Sequence, residues 1–229
     1  MEPFRILSGA AAPLLQDDIN TDQIIPSAYL KDLHANLGDG LLAYLRLRPD
    51  GGRNLDFVLE KPQYQRATIL LVGANFGCGS SREHAVWALQ AFGIRCVIGT
   101  SHAELFRENC LKNGLLPVTL DEARMRELAA QVERTDGAKP FTVDLEHCEI
   151  RGPEGYRCTF QIAAAEREAL LEGLDDVGMT LKQLGAIKAW EARIAKERPF
   201  MQASIAGVAG RLSAVRPSAA DLRGDQPPA

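Results

Sequence analysis

Residues 67–72 form an apolar run broken only by Thr68, and residues 95–100 and 115–118 bring a similar pattern back further along the chain. Continuous apolar stretches of about four to eight residues suit strands buried on both faces. A helical pattern over residues 85–92 separates the first two runs. A second helix, capped by Ser101, carries Leu105, Phe106 and Leu111 and ends at Gly114, before the third run. The order strand, loop, helix, strand therefore occurs twice in succession.

Around this centre the pattern is weaker. The chain opens on a short apolar stretch at residues 4–7, and residues 27–33 and 39–47 read as helical pieces. Residues 57–59 form a short strand candidate ahead of Pro62. Residues 121–133 predict an amphipathic helix with an acidic first turn, and residues 141–150 and 156–162 predict antiparallel strands joined across residues 151–155. The last helices are expected at residues 163–171 and 180–195. Residues 202–229, rich in Ala, Ser, Gly, Pro and Arg, are expected to be a mostly disordered tail, leaving residues 1–201 as one α/β domain, a mixed sheet with flanking helices.

Composition narrows the function. With 229 residues and 46% hydrophobic content the chain can bury a full core, and its net charge of -4 and dispersed basic residues exclude a nucleic-acid footprint. No apolar run approaches the roughly 20 residues a membrane span requires, and the N-terminus lacks a secretory apolar region, so no membrane is expected and the location expected is cytoplasmic. Five cysteines without a C-x-x-C and four histidines without H-E-x-x-H indicate reduced thiols and no metal site within the chain.

The chemistry gathers between the first strand and its helix, in Val72-Gly73-Ala74-Asn75-Phe76-Gly77-Cys78-Gly79-Ser80-Ser81-Arg82-Glu83-His84. The glycines permit positive φ and close approach, so successive N–H groups can converge on one small volume. An anion suits that volume. A helix starting near Ser80 contributes its positive end, and Arg82 in the first turn adds a planar fork of donors matched to a carboxylate. Ser80 and Glu83 also have capping-box spacing, but a cap leaves Arg82 unexplained, because a cation at a helix N-terminus opposes the macrodipole. The ligand expected is a small carboxylic acid. Upstream, residues 17–26 read as an Asx-rich loop whose carboxylates satisfy local N–H groups.

Two other motifs fail. Gly77-Cys78-Gly79 opens like a dinucleotide fingerprint, but Arg82 stands where the third glycine belongs. Gly99-Thr100-Ser101-His102-Ala103 approaches a nucleophile elbow, with Asp144 and His147 downstream, yet position 103 is alanine and His147 falls in an alternating strand pattern.

Taken together, Asn20-Thr21-Asp22-Gln23-Ile24-Ile25-Pro26, the segment from Gly73 to His84, and Asn113-Gly114-Leu115-Leu116-Pro117 resemble the swivelling domain of the aconitase superfamily. More narrowly, Asp56-Phe57-Val58-Leu59, Pro62-Gln63-Tyr64-Gln65 and Gly173-Leu174-Asp175-Asp176-Val177-Gly178-Met179-Thr180-Leu181 resemble the small subunits of bacterial 3-isopropylmalate dehydratases, over about residues 4–201.

The resemblance implies an aconitase-like swivelling domain, a mixed β-sheet or partial barrel with flanking helices. It also implies a hydro-lyase of leucine biosynthesis, in which a small hydroxy-diacid is dehydrated and rehydrated through an enoic acid. Such a small subunit works only with a large subunit bearing a [4Fe-4S] cluster, as a heterodimer or larger assembly. Carried over by position, Ser80 would be the general base and Arg82 the ligand of a substrate carboxylate. Asp22 would face the partner's catalytic groups, and Asn75, Gly79, Ser81 and Thr21 would join the substrate-binding set. No cofactor is expected on this chain itself, because its cysteine spacing supplies no three cluster thiolates. In these enzymes the loop after Tyr29-Leu30 helps to choose the substrate's side group, and some members place an arginine there. This chain has Lys31-Asp32-Leu33-His34-Ala35-Asn36 and no arginine until Arg46, which favours a branched alkyl group. Related hydratases of citraconate or dimethylmaleate, and a non-catalytic carboxylate-binding protein, are the alternative expectations.

Overall fold

The structure is a computed structural model that describes residues 1–31 and 36–200. The chain opens with β1 (Ile6–Gly9) and β2 (Ala11–Leu14), which Ala10 sends into different sheets. Three one-turn helices follow, α1 (Thr21–Ile24), α2 (Leu37–Gly40) and α3 (Ala43–Arg46). Then the twice-repeated pattern unfolds as expected: β3 (Ile69–Val72), α4 (Glu83–Phe92), β4 (Cys96–Gly99), α5 (Glu104–Asn113) and β5 (Leu116–Thr119). With β2, these strands make a parallel sheet in the order β2-β3-β4-β5. Its two edges, β2 and β5, each contain a proline, Pro13 and Pro117, which a central strand would not tolerate.

Successive residues of these strands enter two separate cores. Leu70, Val72 and Val97 face a cluster with Ala85, Val86, Leu89 and Phe106 of the two helices. Ile69, Leu71, Cys96, Ile98, Leu116 and Val118 face the other, with Phe141, Val143 and Ile150. Burial on both faces is why the strands read as continuous apolar runs. The second core is covered by α6 (Glu122–Thr135) and an antiparallel sheet in the order β1-β6-β7-β8, built from β6 (Phe141–Asp144), β7 (Glu149–Arg151) and β8 (Arg157–Thr159). α7 (Ala164–Glu172), α8 (Asp176–Leu181) and α9 (Leu184–Glu197) complete the described chain. The chain divides into two compact units, residues 1–177 and 178–229.

Several expectations are corrected. The strand expected at residues 57–59 is a 3-10 turn, Val58–Glu60, because Glu60 must turn inward. The helix expected over residues 39–47 is broken into α2 and α3 by Leu41 and Leu42, both fully buried, with Leu42 in left-handed conformation at φ 49°. Residues 27–33 give only the 3-10 turn Ser27–Leu30, and residues 32–35, including His34, lie outside the described residues. The strand expected over residues 141–150 is cut by a tight turn, in which Asp144 Oδ1 accepts from the His147 N–H at 3.0 Å and Cys148 takes φ 52°. Ser101 does not cap α5, whose N-cap is Ala103. The helix expected at residues 180–195 is two helices, and the tail of residues 202–229 lies outside the described residues.

The inward turn of Glu60 has a reason. Its carboxylate is fully buried and takes Arg46 Nε at 2.7 Å on one oxygen and Arg53 on the other. Arg46 Nη1 also donates to the carbonyls of Gly38 and Leu41, both at 3.0 Å, so one guanidinium ties α2 and α3 together. A buried charge that loses its partner typically costs about 3–5 kcal/mol. Glu60→Ala, which leaves Arg46 without its carboxylate, is expected to destabilise the protein by that amount in a urea titration, well above the cost of removing the half-exposed Arg53.

Candidate active site

The glycine-rich segment lies between β3 and α4 and is paired along its length with the loop that follows β2. Asp18 N–H donates to the Ala74 carbonyl at 2.9 Å, Gly77 N–H to Ile19 at 2.8 Å and Thr21 N–H to Cys78 at 2.9 Å. Side chains reinforce the seam. Asp17 Oδ1 accepts from the Ala74 N–H at 2.6 Å, and Asp18 Oδ1 accepts from Asn75 Nδ2 at 2.8 Å. The carboxylates of the Asx-rich loop do satisfy N–H groups, as its sequence suggests, but on a segment 57 residues away.

From below, α5 supports the turn. Phe76 is buried edge-on against Phe106, with ring centroids 5.3 Å apart. Gly77 then passes directly over the same ring at φ 79°, where a Cβ would come within 2.2 Å of Phe106. Ser101, the expected helix cap, instead accepts from the Asn75 N–H at 2.8 Å, and Ala103 N–H donates to the Phe76 carbonyl at 2.9 Å. Neighbouring His102 is driven down to a pKa of about 4 by burial and by the Arg107 charge, so the ring is neutral near pH 7. Among the described residues no hydrogen bond joins Ser101 to His102 or His147, and His147 pairs with Asp144 instead, which disposes of the hydrolase motif.

The turn comes to the surface at Gly79, Ser80 and Ser81, all exposed. Among the described residues their three N–H groups make no hydrogen bond, so three successive donors are left unused on the exposed turn. α4 begins only at Glu83, with Arg82 as its N-cap residue and no side-chain cap. The capping box is therefore absent: Glu83 Oε1 accepts from Asn113 Nδ2 at 2.7 Å, and Ser80 is left outside the helix. Arg82 Nη1 forms an ion pair with Asp22 Oδ1 but without hydrogen-bond alignment, so this buried donor remains unmatched.

α1 places the other side of the site. Asn20 caps it through a reciprocal box with Gln23, accepting from the Gln23 N–H at 2.8 Å while its own N–H donates to Gln23 Oε1 at 2.9 Å. This short helix directs Asp22 outward, to Arg82, and Thr21 inward. Thr21 is 1% exposed, and its hydroxyl donates to the Ser80 carbonyl at 2.9 Å and lies 3.2 Å from Ser80 Oγ. Thr21 therefore reaches the site through Ser80 and presents no surface of its own. Asn75 is exposed at φ 54° with its side-chain amide held by Asp18, and no hydrogen bond among the described residues joins it to Ser80 or Arg82. Of the expected site residues, the structure thus brings Ser80, Ser81, Gly79, Arg82, Asp22 and Thr21 to one place.

Asn113, part of a motif named above, and Ser101, expected as a helix cap, both support the site in ways their local sequence does not signal. Asn113 joins α5 to α4, donating to Glu83 and accepting from Trp87 Nε1 at 2.9 Å. Ser101 anchors the turn from the next strand. No local pattern signals either role, since both contacts are tertiary.

Comparison with known proteins follows this geometry. The family model for the aconitase C-terminal domain matches residues 1–123. The chain is 49% identical over 201 residues to the 3-isopropylmalate dehydratase small subunit of Mesorhizobium japonicum and 51% identical over 201 residues to that of Sinorhizobium fredii. Each match covers 87% of this chain and all of the relative. Among solved structures, a 3-isopropylmalate dehydratase of Methanocaldococcus jannaschii is similar at a TM-score of 0.56 and 26% identity, over 81% of this chain and 99% of that one.

Gly77→Ala tests whether the turn depends on this close passage. A left-handed φ costs a residue with a Cβ about 1–2 kcal/mol before any clash is counted. The substitution is expected to lower stability by at least that much in a denaturant titration and to increase amide hydrogen exchange at Thr21 and at position 77, the amides that donate across the seam.

Proposed function

Because the chain belongs to the family of 3-isopropylmalate dehydratase small subunits, we propose that it works with a large subunit to interconvert 2-isopropylmalate and 3-isopropylmalate in leucine biosynthesis. The reaction is dehydration to 2-isopropylmaleate followed by rehydration. One observation carries the assignment of roles: a serine hydroxyl, three unused N–H groups and a guanidinium stand together on a single exposed turn.

Arg82 holds one substrate carboxylate through its fork of donors, displacing Asp22. Ser80 then removes the proton from the carbon beside a carboxylate. The C–H electron pair becomes the double bond as the hydroxyl group departs on the partner's side, and rehydration returns the proton by the same route. Charge accumulates on the carboxylate oxygens, where the guanidinium and the N–H groups of Gly79 and Ser81 stabilise it. A serine hydroxyl is a weak base until its alkoxide is stabilised, and the same donors serve that need. Asn75 shapes the rim, and Asp22, freed from Arg82, faces the large subunit.

The described residues of this chain do not fit an iron-sulfur cluster. Among the described residues no group of three or more His, Cys, Asp or Glu could hold a metal, and burial pushes the thiols of Cys96 and Cys110 up, away from the thiolate form a cluster binds. The [4Fe-4S] cluster is assigned to the large subunit, and the steps left to this chain are carboxylate binding and proton transfer. No helix among the described residues is long and apolar enough to cross a membrane, and a cytoplasmic location suits five free cysteines.

Substrate choice follows from Arg46. It is the first arginine after Tyr29-Leu30, but Glu60 and two carbonyls bind its guanidinium, so it offers no cation to a third carboxylate. A branched alkyl side group suits that absence.

The test uses the reconstituted pair. A positioned general base contributes about 10²–10⁴ in rate, so Ser80→Ala should lower kcat by that factor with assembly intact. Arg82→Lys should raise KM for 2-isopropylmalate, because a point charge replaces a bidentate fork. Unchanged turnover in Ser80→Ala removes Ser80 from the role.

A further inference from the structure

We propose that Thr21 is a switchable hydrogen-bond donor that stabilises the alkoxide of Ser80, and so sets how readily the serine accepts a proton. The inference rests on the reading of Ser80 as general base and adds to the donors already named a buried one that reaches the serine oxygen from the protein side.

The geometry is a choice between two acceptors. Thr21 Oγ1 carries one proton and stands 2.9 Å from the Ser80 carbonyl and 3.2 Å from Ser80 Oγ. While the serine is protonated, its own hydroxyl can donate to Thr21 Oγ1, and the threonine proton rests on the carbonyl. Once Ser80 Oγ loses its proton it becomes the stronger acceptor, and a rotation about one bond turns the threonine proton onto it. The carbonyl is not left bare by this exchange, because the Arg82 N–H donates to it at 2.8 Å throughout. A second acceptor satisfied from elsewhere is what makes the turn of the proton inexpensive.

Burial makes the donor effective. Thr21 is 1% exposed, so water does not compete for its hydroxyl, and a hydrogen bond to a charged acceptor is stronger in such a setting. Its backbone is fixed on both sides of the seam. Thr21 N–H donates to the Cys78 carbonyl at 2.9 Å, and Thr21 O accepts from the Ile25 N–H at 3.0 Å. Ser80 itself is exposed, and the buried donor reaches it from the protein side, leaving its outer face open to substrate. An ordinary core position would take valine here, which has the same shape and no polar group.

Two variants separate this role from a packing role, because they alter shape and chemistry in opposite ways. Thr21→Val keeps the buried volume and removes the hydroxyl; Thr21→Ser keeps the hydroxyl and removes a buried methyl. Both are measured in the enzyme reconstituted with its large subunit, reading kcat against pH and chemical stability together. A hydrogen bond to a charged group supports a loss of about ten- to hundredfold in kcat for Thr21→Val at neutral pH, with the rising limb of the pH profile moved up by about one to two units. Thr21→Ser should be the less stable protein and yet keep the wild-type limb.

A Thr21→Val enzyme with an unmoved pH limb overturns the inference, as does a Thr21→Ser enzyme that loses as much activity as Thr21→Val. Ser80→Ala tells this failure from that of the underlying reading. If Ser80→Ala is inactive and Thr21→Val keeps its profile, the base assignment stands and the role of Thr21 falls. If Ser80→Ala turns over normally, both fall.

Discussion

The candidate site depends on one piece of backbone pairing, the seam between residues 18–21 and residues 74–78. Apart from Thr21, which opens α1, neither segment has regular structure of its own. Together they exchange hydrogen bonds from Asp18, Thr21 and Gly77, and the parallel bridge between Asn20 and Cys78 continues the neighbourhood of β2 and β3 past the ends of both strands. The parallel register of those two strands is what delivers both segments to the same end of the sheet. Loops at the carboxyl ends of parallel strands are the usual place for a ligand site, and here two of them are fused into one surface.

The seam in turn constrains what lies beneath it. Because the turn is held from above by residues 18–21, it must pass close over α5, and only a residue without a Cβ clears the Phe106 ring at position 77. Phe76 then fills the space beside that ring, and Ser101 closes the third side. The exposed part, Gly79 to Ser81, is thus short, and its free N–H groups are presented by a support that is buried and apolar. Preorganised donors of this kind need no reorganisation when charge develops on a ligand, which is the property a site for carboxylate chemistry requires.

Much of the fold was legible because strands buried on both faces leave long apolar runs, as at residues 67–72 and 95–100. The glycine turn and Arg82 were legible for a different reason. An arginine at the start of a helix has no capping use, so its presence asks for a compensating negative charge, which within the chain is Asp22. What could not be read were the elements decided by tertiary contact. Nothing near residues 57–59, expected as a short strand, marks Glu60 as buried until Arg46 and Arg53 are brought to it, and Ser80 with Glu83 imitates a capping box whose partners, in the fold, are Thr21 and Asn113. Short polar motifs are ambiguous in this way whenever a distant backbone or side chain can satisfy them better than a local one.

The ion pair of Asp22 with Arg82 completes the picture. Arg82 retains 30% of its side-chain exposure and Asp22 57%, and pairs so open to water contribute only about 0.2–1 kcal/mol. The contact is also misaligned, leaving Nη1 without a hydrogen bond. Asp22 therefore neutralises the guanidinium without meeting its demand for directed acceptors, and in the proposed role of Arg82 a substrate carboxylate able to engage two donors of the fork at once would displace it at small cost. The displaced aspartate stays on α1, beside Thr21 and next to the serine, at the rim on which a second subunit would close. A weak internal pair at the proposed substrate position balances the charge locally, and would leave the stronger interaction to be made when the ligand arrives.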